Sequence, residues 1–147
     1  MKKSYLIIVV AVLVIFAWLT IKLHILETKY NQPKVEIGGK IINIEIANTN
    51  TKRELGLSGH TPLKDNQGML FVFYKTGKYP FWMKDMLFPV DIIWISEDYK
   101  IVYIEKNAQT NSYPATCGGQ VDAQYVLEVN SGFSDKNNLK RGDKIKF

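Results

Sequence analysis

The most extended pattern in the chain is an apolar run close to the N-terminus. Residues 5–21 contain no charged side chain, and apolar residues continue past Lys22 as far as Leu26. A helix over about 5–26 would be roughly 30 Å long, which is enough to cross the hydrocarbon core of a bilayer. A cleaved signal peptide ends in small residues, whereas Lys22 is followed by Leu-His-Ile-Leu-Glu. The sequence therefore predicts one retained N-terminal transmembrane helix within a membrane anchor of residues 1–29.

The lysines that flank this run bear on its orientation. Lys2 and Lys3 precede the run, and Lys22 and Lys29 follow it. Basic residues next to a transmembrane helix tend to stay in the cytoplasm. The first pair favours a cytoplasmic N-terminus, and the second pair acts against it. We expect a single-pass membrane protein whose C-terminal domain lies on the extracytoplasmic side.

Beyond a short linker at residues 30–33, the hydrophobic pattern predicts a β-rich domain over residues 34–147. Residues 34–46 alternate on both sides of Gly38-Gly39, a pair that supplies the positive φ angles of a tight hairpin turn. Thr51-Lys-Arg-Glu54 has the spacing of a capping box, which predicts the start of a short helix. The predicted fold class is α+β and mostly β, a compact antiparallel or mixed β-sheet or half-barrel with one or two short helices. The other predicted elements are strands at 69–73, 90–95, 100–104, 123–129 and 144–147, a helical turn at 135–139, and a long loop over 106–121.

Asp91 interrupts the apolar strand at 90–95. Strict alternation places it on the same face as Ile93 and Ile95. A carboxylate on an apolar face must find hydrogen-bond donors, because burying it unpaired would cost several kcal/mol. We expect those donors to be nearby backbone N–H groups or Lys84.

The net charge of +5 is unevenly distributed. Residues 1–30 hold four lysines and one glutamate, which leaves 15 basic and 13 acidic residues in the remainder of the chain. The C-terminal basic residues are interleaved with Asp135 and Asp143 and have no aromatic platform. This balance predicts no nucleic-acid partner.

Six motifs occur in the order found in a family of bacterial and archaeal proteins. They are Glu54-Leu-Gly-Leu-Ser-Gly59, Gly68-Met-Leu-Phe-Val-Phe73, Phe81-Trp-Met-Lys-Asp85, Pro89-Val-Asp-Ile-Ile93, Tyr125-Val-Leu-Glu-Val129 and Gly142-Asp143. On these motifs, residues 34–147 resemble the DUF192 family, also called UPF0127, whose function is not established. The resemblance implies a compact, mostly β domain of the α+β class, commonly exported or membrane-anchored, and it implies no reaction.

The chain departs from the family pattern in two places. Ser58-Gly59-His60 stands where the family usually has an arginine or methionine-arginine pattern, and Met86 stands where it often has serine or threonine. An activity that required this hydroxyl would be missing from the protein.

The carboxylates within these motifs are the catalytic candidates, namely Asp85, Asp91 and Glu128. Paired carboxylates about 5 to 10 Å apart perform general acid and base catalysis in glycoside hydrolysis. The alternative is structural, with Asp91 and Glu128 accepting hydrogen bonds from backbone donors at strand ends and Asp85 capping a turn before Pro89.

Cysteine and histidine offer little further chemistry. Cys117 is the only cysteine, so no intramolecular disulfide forms, and it stands beside two glycines in the predicted loop. His60, the only histidine in the domain, would have to meet Cys117 to activate a nucleophile. Metal-ligand spacing and glycine-rich phosphate motifs are absent from the sequence, so we expect no metal and no cofactor.

An aromatic group in the central stretch is either a stacking platform for sugar rings or part of the core. Trp82 is the best candidate to face a cleft, because Lys84 and Asp85 follow it. The candidate binding residues are therefore Trp82, Lys84, Asp85 and Cys117. The aromatic group consists of Phe71, Phe73, Phe81, Trp82, Phe88 and Trp94.

Two functions remain open at this level. The first is a non-catalytic, membrane-tethered module that binds an envelope glycan or a protein partner through the Trp82-Lys84-Asp85 corner and the 106–121 loop. The second is a small hydrolase of envelope glycan or a related polymer that uses Asp85, Asp91 and Glu128. The hydrolase requires at least two of these carboxylates in one open pocket.

Overall fold

The structure is a computed structural model that describes residues 2–30 and 32–147, with side chains described at 4–27 and 32–147. The chain divides into two compact units, residues 1–32 and residues 33–147. Asn31, in the predicted linker, lies outside the described residues.

The first unit is a single helix, α1 (Lys2–Tyr30). Its segment Ser4–Glu27, 24 residues long, is long and apolar enough to cross a membrane. The prediction of an N-terminal helix of this kind is confirmed. A removable signal sequence can meet the same criterion of length and composition.

The second unit contains eight strands and two short helices among its described residues. They are β1 (Lys34–Ile37), β2 (Lys40–Ala47), α2 (Asn50–Leu55), β3 (Gln67–Lys78), β4 (Phe81–Trp82), β5 (Val90–Ile95), β6 (Ile101–Ala108), β7 (Thr116–Cys117), β8 (Asp122–Asn130) and α3 (Phe133–Lys136), with a 3-10 turn at Thr110–Ser112. Six strands form one sheet in the order β1-β2-β3-β8-β5-β6, and β4 pairs with β7. In the large sheet only β2 and β3 are parallel neighbours. The predicted α+β, mostly β class is confirmed, and the sheet is mixed.

The predicted N-terminal hairpin is present. Ile37 pairs with Lys40, and Gly38 and Gly39 between them have φ angles of 56° and 70°. Two consecutive positive φ angles are costly for residues with a Cβ, which explains the glycine pair.

The connection from β2 to β3 places α2 beside the sheet, since parallel strands require a crossover. The helix is as short as predicted, but its N-cap is Thr49, whose hydroxyl accepts a hydrogen bond from the backbone N–H of Lys52 at 3.3 Å. Thr51, the predicted cap, therefore lies inside the helix. Gly56, with φ at 53°, ends it.

Both faces of the central strands are buried. The alternation predicted for β5 is confirmed, because Ile92 and Trp94 pack in one core, whereas Ile93 and Ile95 pack in the other. The first core consists of Ala47, Leu57, Met69, Phe71, Met83, Met86, Phe88, Val90, Ile92, Trp94, Ala108, Ala123 and Val126. The second core consists of Val35, Ile37, Ile42, Ile44, Leu70, Ile93, Ile95, Ile101, Leu127, Val129, Leu139 and Ile145.

The C-terminal segment joins the two edges of the large sheet. Lys146 exchanges backbone hydrogen bonds with Glu36 of β1 at 2.8 and 3.0 Å. Lys144 forms a bridge with Lys100, next to β6, and Ile145 is buried in the second core. The prediction of a strand at 144–147 is therefore wrong. These residues form isolated bridges to the two edges of the large sheet and no continuous ladder.

Asp91 ties α3 to the sheet. Its carboxylate accepts hydrogen bonds from the backbone N–H groups of Asn107, Gly132 and Ser134, at 2.9, 3.1 and 2.8 Å. The expectation of backbone donors is correct, and Lys84 is not one of them. Two of these donors, Gly132 and Ser134, lie at the start of α3, which begins at Phe133 and not at residue 135 as predicted.

The region predicted as a loop over 106–121 is partly ordered into strands. Strand β6 continues to Ala108, and β7 pairs with β4 through Phe81 opposite Cys117. Gly118 then passes over the buried ring of Trp94, and an added Cβ would lie 1.9 Å from Trp94 Cζ2. Only glycine permits this approach, which holds the small ribbon against the first core.

Candidate functional site

A pocket of about 330 Å³ opens beside α2, and we call it the α2 pocket. This volume lies near the lower end of the range of roughly 300 to 1,000 Å³ found for small-molecule sites. Its wall combines α2, the residues after it, β3, the β4 region and one residue each of β7 and β8. The lining residues are Asn50, Arg53, Glu54, Leu55, Gly56, Leu57, Ser58, Phe71, Phe73, Tyr79, Pro80, Phe81, Trp82, Met86, Thr116 and Glu128.

The lining residues of the pocket differ in burial, with buried residues forming an inner wall and exposed residues forming a rim. The inner wall consists of the buried lining residues Leu57, Phe71, Met86 and Glu128, and it is apolar except for the glutamate. The rim is exposed and mixes polar side chains with the ring of Trp82, which is 50% exposed. A ligand that enters the pocket would therefore pass from a polar rim to an apolar inner wall.

Ring contacts fix one side of the pocket. Phe81 meets Phe71 edge to face with 4.8 Å between centroids, and it meets Trp94 in the same way at 5.6 Å. The indole N–H of Trp94 donates to the carbonyl oxygen of Tyr79 at 2.9 Å. Trp82 lies at the rim with Tyr113 edge-on at 6.2 Å. These contacts hold the aromatic wall in place without a ligand.

Arg53 holds the other side. Its guanidinium donates to the carbonyl oxygen of Val72 at 2.7 Å and to Asn50 Oδ1 at 2.6 Å, and it lies 5.3 Å from the ring centroid of Phe73. Phe73 in turn stacks on Tyr79 with 3.5 Å between centroids. The arginine therefore fastens α2 to the end of β3 and completes a layered wall.

Glu128 is the polar group of the inner wall. It lies in the middle of β8, between Met69 and Ile92 of the neighbouring strands, and is only 3% exposed. Its Oε2 atom is buried without a hydrogen-bond partner among the described residues. Burial raises the pKa of Glu128 from its ordinary value of 4.5 to about 8. The side chain is therefore a neutral carboxylic acid at pH 7, able to donate a hydrogen bond as well as accept one.

The three catalytic candidates do not converge. Asp91 lies on the second-core face with its carboxylate bound to backbone N–H groups, whereas Glu128 lies on the first-core face. Asp85 is exposed in a turn with φ at 55° and does not line the pocket. Asp91 has the structural role given by the alternative, whereas no backbone donor among the described residues reaches Oε2 of Glu128.

The predicted binding corner is split. Trp82 lines the pocket, but Lys84 and Asp85 are exposed outside it. Their backbone carbonyls instead hold the segment after α2, accepting from the Ser58 hydroxyl at 2.8 Å and from the Gly59 N–H at 2.9 Å.

Cys117 lies behind the pocket wall. The thiol is half-buried and donates to the carbonyl oxygen of Phe81 at 3.7 Å. Burial, together with the charges of Glu105 and Glu128, raises the pKa of Cys117 to about 11. The sulfur is thus a thiol at neutral pH and a poor nucleophile. Within the part of the chain that the structure describes, no three His, Cys, Asp or Glu side chains are grouped so as to hold a metal ion.

Sequence reasoning missed the residues of α2 and the tyrosine that supports them. Arg53, Glu54 and Tyr79 were not predicted as site residues, although the motif that begins at Glu54 is one of the six in the resemblance. The available signal was that this motif overlaps the end of the predicted helix and contains Gly56, which ends α2.

A comparison with family models agrees with the motifs. The model of DUF192, described as an uncharacterized family, matches residues 33–147. The chain belongs to the DUF192 family. No curated protein matches it.

The crystal structures of two other proteins resemble this DUF192 chain. One is a Novosphingobium aromaticivorans protein of unknown function, with 28% sequence identity and a TM-score of 0.72, covering 78% of this chain and 82% of the other. The second is a Sinorhizobium meliloti protein provisionally described as a transcription regulator, with 30% identity and a TM-score of 0.71, covering 77% of this chain and 91% of the other. Both similarities support the fold of the DUF192 domain.

The pKa of Glu128 predicts how stability depends on pH. Between about pH 4.5 and 8 the folded protein holds a proton that the unfolded chain has lost. Raising the pH through this window therefore lowers the free energy of unfolding, by at most roughly 1.4 kcal/mol per pH unit. Glu128→Gln cannot lose this proton, so its free energy of unfolding should lack the pH-dependent decrease of the wild type. Between pH 5 and pH 8 the difference in free energy of unfolding should therefore shift in favour of the variant by a few kcal/mol.

Urea unfolding of the full-length protein in a non-ionic detergent, followed by tryptophan fluorescence, measures this difference. Glu45→Gln removes an exposed carboxylate of β2 and is the matched control. Parallel pH profiles for the wild type and Glu128→Gln would show that Glu128 is ionised in the folded protein.

Proposed function

We propose that the protein is a membrane-tethered binding module that holds part of an envelope glycan in the α2 pocket. The observation that carries this proposal is a preformed, aromatic-walled pocket with polar groups at its rim. The apolar faces of sugar rings pack on aromatic side chains, and their hydroxyl groups hydrogen-bond to polar side chains. The half-exposed ring of Trp82 is placed to receive such a face.

Binding is favoured over hydrolysis because the pocket has no second carboxylate near Glu128 on its inner wall. Most glycoside hydrolases use two carboxyl groups that flank the bond to be cleaved. Among the lining residues the other acid is Glu54, which is exposed on α2, and Asp85 and Asp91 lie elsewhere.

The shape of the site favours a glycan unit over a protein partner. A stable protein interface buries about 800 Å² on each partner over a broad surface. A concave pocket of about 330 Å³ encloses a group of the size of one sugar ring with its substituents.

The description of the Sinorhizobium meliloti neighbour as a transcription regulator does not alter this proposal. Regulators that bind DNA carry a basic stripe or patch on one face. Beyond residue 30, this chain has 15 basic and 13 acidic residues, and Lys106 and Lys146 are paired with acidic side chains.

The proposed location places the domain outside the cytoplasm, with α1 as the anchor. Alkaline phosphatase fused after Phe147 should be active, because that enzyme matures only outside the cytoplasm, and a green fluorescent protein at the same position should stay dark. The reverse pair of results would place the domain in the cytoplasm and remove the envelope glycan as a ligand.

Glycan binding should depend on Trp82. In co-sedimentation of the full-length protein, in detergent micelles, with purified insoluble cell-wall glycan, Trp82→Ala should reduce the bound fraction several-fold, because it removes the stacking ring at the rim. The matched control is Tyr74→Ala, which removes an aromatic ring that is 93% exposed and outside the pocket. Absence of binding by the wild type, or an equal loss in both variants, would contradict the proposal.

A further inference from the structure

The unsatisfied carboxyl of Glu128 calls for a partner that the described residues do not provide. It lies on the inner wall of the α2 pocket, 3% exposed, with Oε2 buried and unpaired. Buried polar atoms in proteins are nearly always hydrogen-bonded, since an unsatisfied one is costly. A group that enters the pocket can supply the missing hydrogen bond. The terminal torsion of a glutamate is broad, so either carboxyl oxygen can turn toward it.

The surroundings of the carboxyl define the shape of that group. Leu57, Phe71 and Met86, the other residues of the inner wall, offer only apolar surface. A ligand group that combines one hydrogen-bond acceptor with a small apolar end would therefore complement both the protonated carboxyl and the apolar wall. An acetamido substituent, with its carbonyl oxygen and methyl group, has this combination.

We infer that the α2 pocket selects sugars that carry an acetamido group, with the Glu128 carboxyl donating a hydrogen bond to the acetamido carbonyl oxygen. The methyl group packs against the apolar inner wall. The sugar ring lies toward Trp82, where the exposed rim residues Asn50, Glu54 and Thr116 face its hydroxyl groups. This inference rests on the proposed function and names the class of sugar.

Other ligand end groups fit the inner wall less well. A phosphate or carboxylate would place a charge against apolar surface with no cation on the inner wall. An ammonium group would require the ionised form of Glu128, which burial disfavours. A lone hydroxyl would leave the apolar surface of Leu57 and Met86 without contact. A peptide carbonyl is a hydrogen-bond acceptor like the acetamido carbonyl, but a peptide has no sugar ring to pack against Trp82.

Other titratable groups lie in the pocket or near it. Arg53 and Glu54 of α2 and Tyr79 line the same pocket. Cys117 of β7 lies within electrostatic reach, and its pKa is raised in part by Glu128. The Glu128→Gln variant keeps all of these other groups. A pH effect that is present in the wild type and absent in this variant can therefore be assigned to Glu128.

The first experiment compares sugars on the full-length protein in detergent micelles. Isothermal titration calorimetry with N-acetylglucosamine and with glucose at pH 6.5 should give at least about tenfold tighter binding of the acetamido sugar, in keeping with one buried hydrogen bond and one buried methyl. Saturation-transfer NMR should show the strongest transfer at the acetamido methyl protons.

The second experiment compares two substitutions of Glu128. Glu128→Leu removes the donor and should weaken binding of N-acetylglucosamine about tenfold, without weakening that of glucose. Glu128→Gln keeps a donor and should retain most of the affinity. The wild-type affinity should fall above about pH 8, where the carboxyl ionises, whereas the affinity of Glu128→Gln should stay constant over the same range.

Four outcomes would overturn the inference. Equal affinities for glucose and N-acetylglucosamine would show that the pocket does not select the acetamido group. If binding of both sugars still depended on Trp82, the proposed function would nevertheless be supported. Tighter binding of N-acetylalanine methylamide than of the sugar would assign the pocket to peptides. Unchanged acetamido-sugar affinity in a folded Glu128→Leu variant would show that Glu128 does not contact the ligand. If neither sugar binds, both the inference and the proposed function fail.

Discussion

The structure depends on a sheet whose central strand is buried on both faces. Strand β8 lies between β3 and β5, so each of its inward side chains enters one of two apolar cores. Glu128 occupies such a position, and it keeps its proton because an ionised carboxylate would have no compensating partner there. Asp91 is also buried within the sheet, but its carboxylate accepts hydrogen bonds from three backbone N–H groups. Asp91 is thus satisfied within the fold, whereas Oε2 of Glu128 has no hydrogen-bond partner among the described residues.

The pocket around Glu128 follows from the connections between strands. The crossover from β2 to β3 brings α2 over the first-core face, and Arg53 fastens it to the Val72 carbonyl oxygen. Opposite it, the β4–β7 ribbon is held against Trp94 by the close approach of Gly118. The space between these two layers stays open because the Phe71, Phe81 and Trp94 rings support one another.

Local patterns predicted much of the fold. The Gly38-Gly39 hairpin, the β5 alternation and the apolar N-terminal helix depend on neighbouring residues alone, and each is confirmed. The pairing of β4 with β7 was not predicted, and the strand at 144–147 and the start of α3 were predicted wrongly. All three features depend on contacts between residues distant in sequence. Trp82 could be predicted as a binding residue from its position in the sequence. Arg53 could not, because its place in the wall depends on contacts with Val72 and Phe73 of β3, which are distant from it in sequence. The placement of Asp91 and Glu128 on opposite faces follows from the register of β5 against β8, in which Asp91 is opposite Val129 and Glu128 is opposite Ile92. This register depends on a pairing between strands distant in sequence.

The protonation of Glu128 in the folded protein is the central claim, and its titration tests that claim most directly. The side-chain carboxyl carbon can be followed by NMR in protein labelled with ¹³C-glutamate, with Glu128→Gln to assign the signal. The structure predicts a midpoint near pH 8, and it predicts a higher midpoint when N-acetylglucosamine occupies the pocket and binds the protonated form. A midpoint near 4.5, the ordinary value for a glutamate, would show that the carboxyl is ionised at neutral pH and would contradict the account of the pocket.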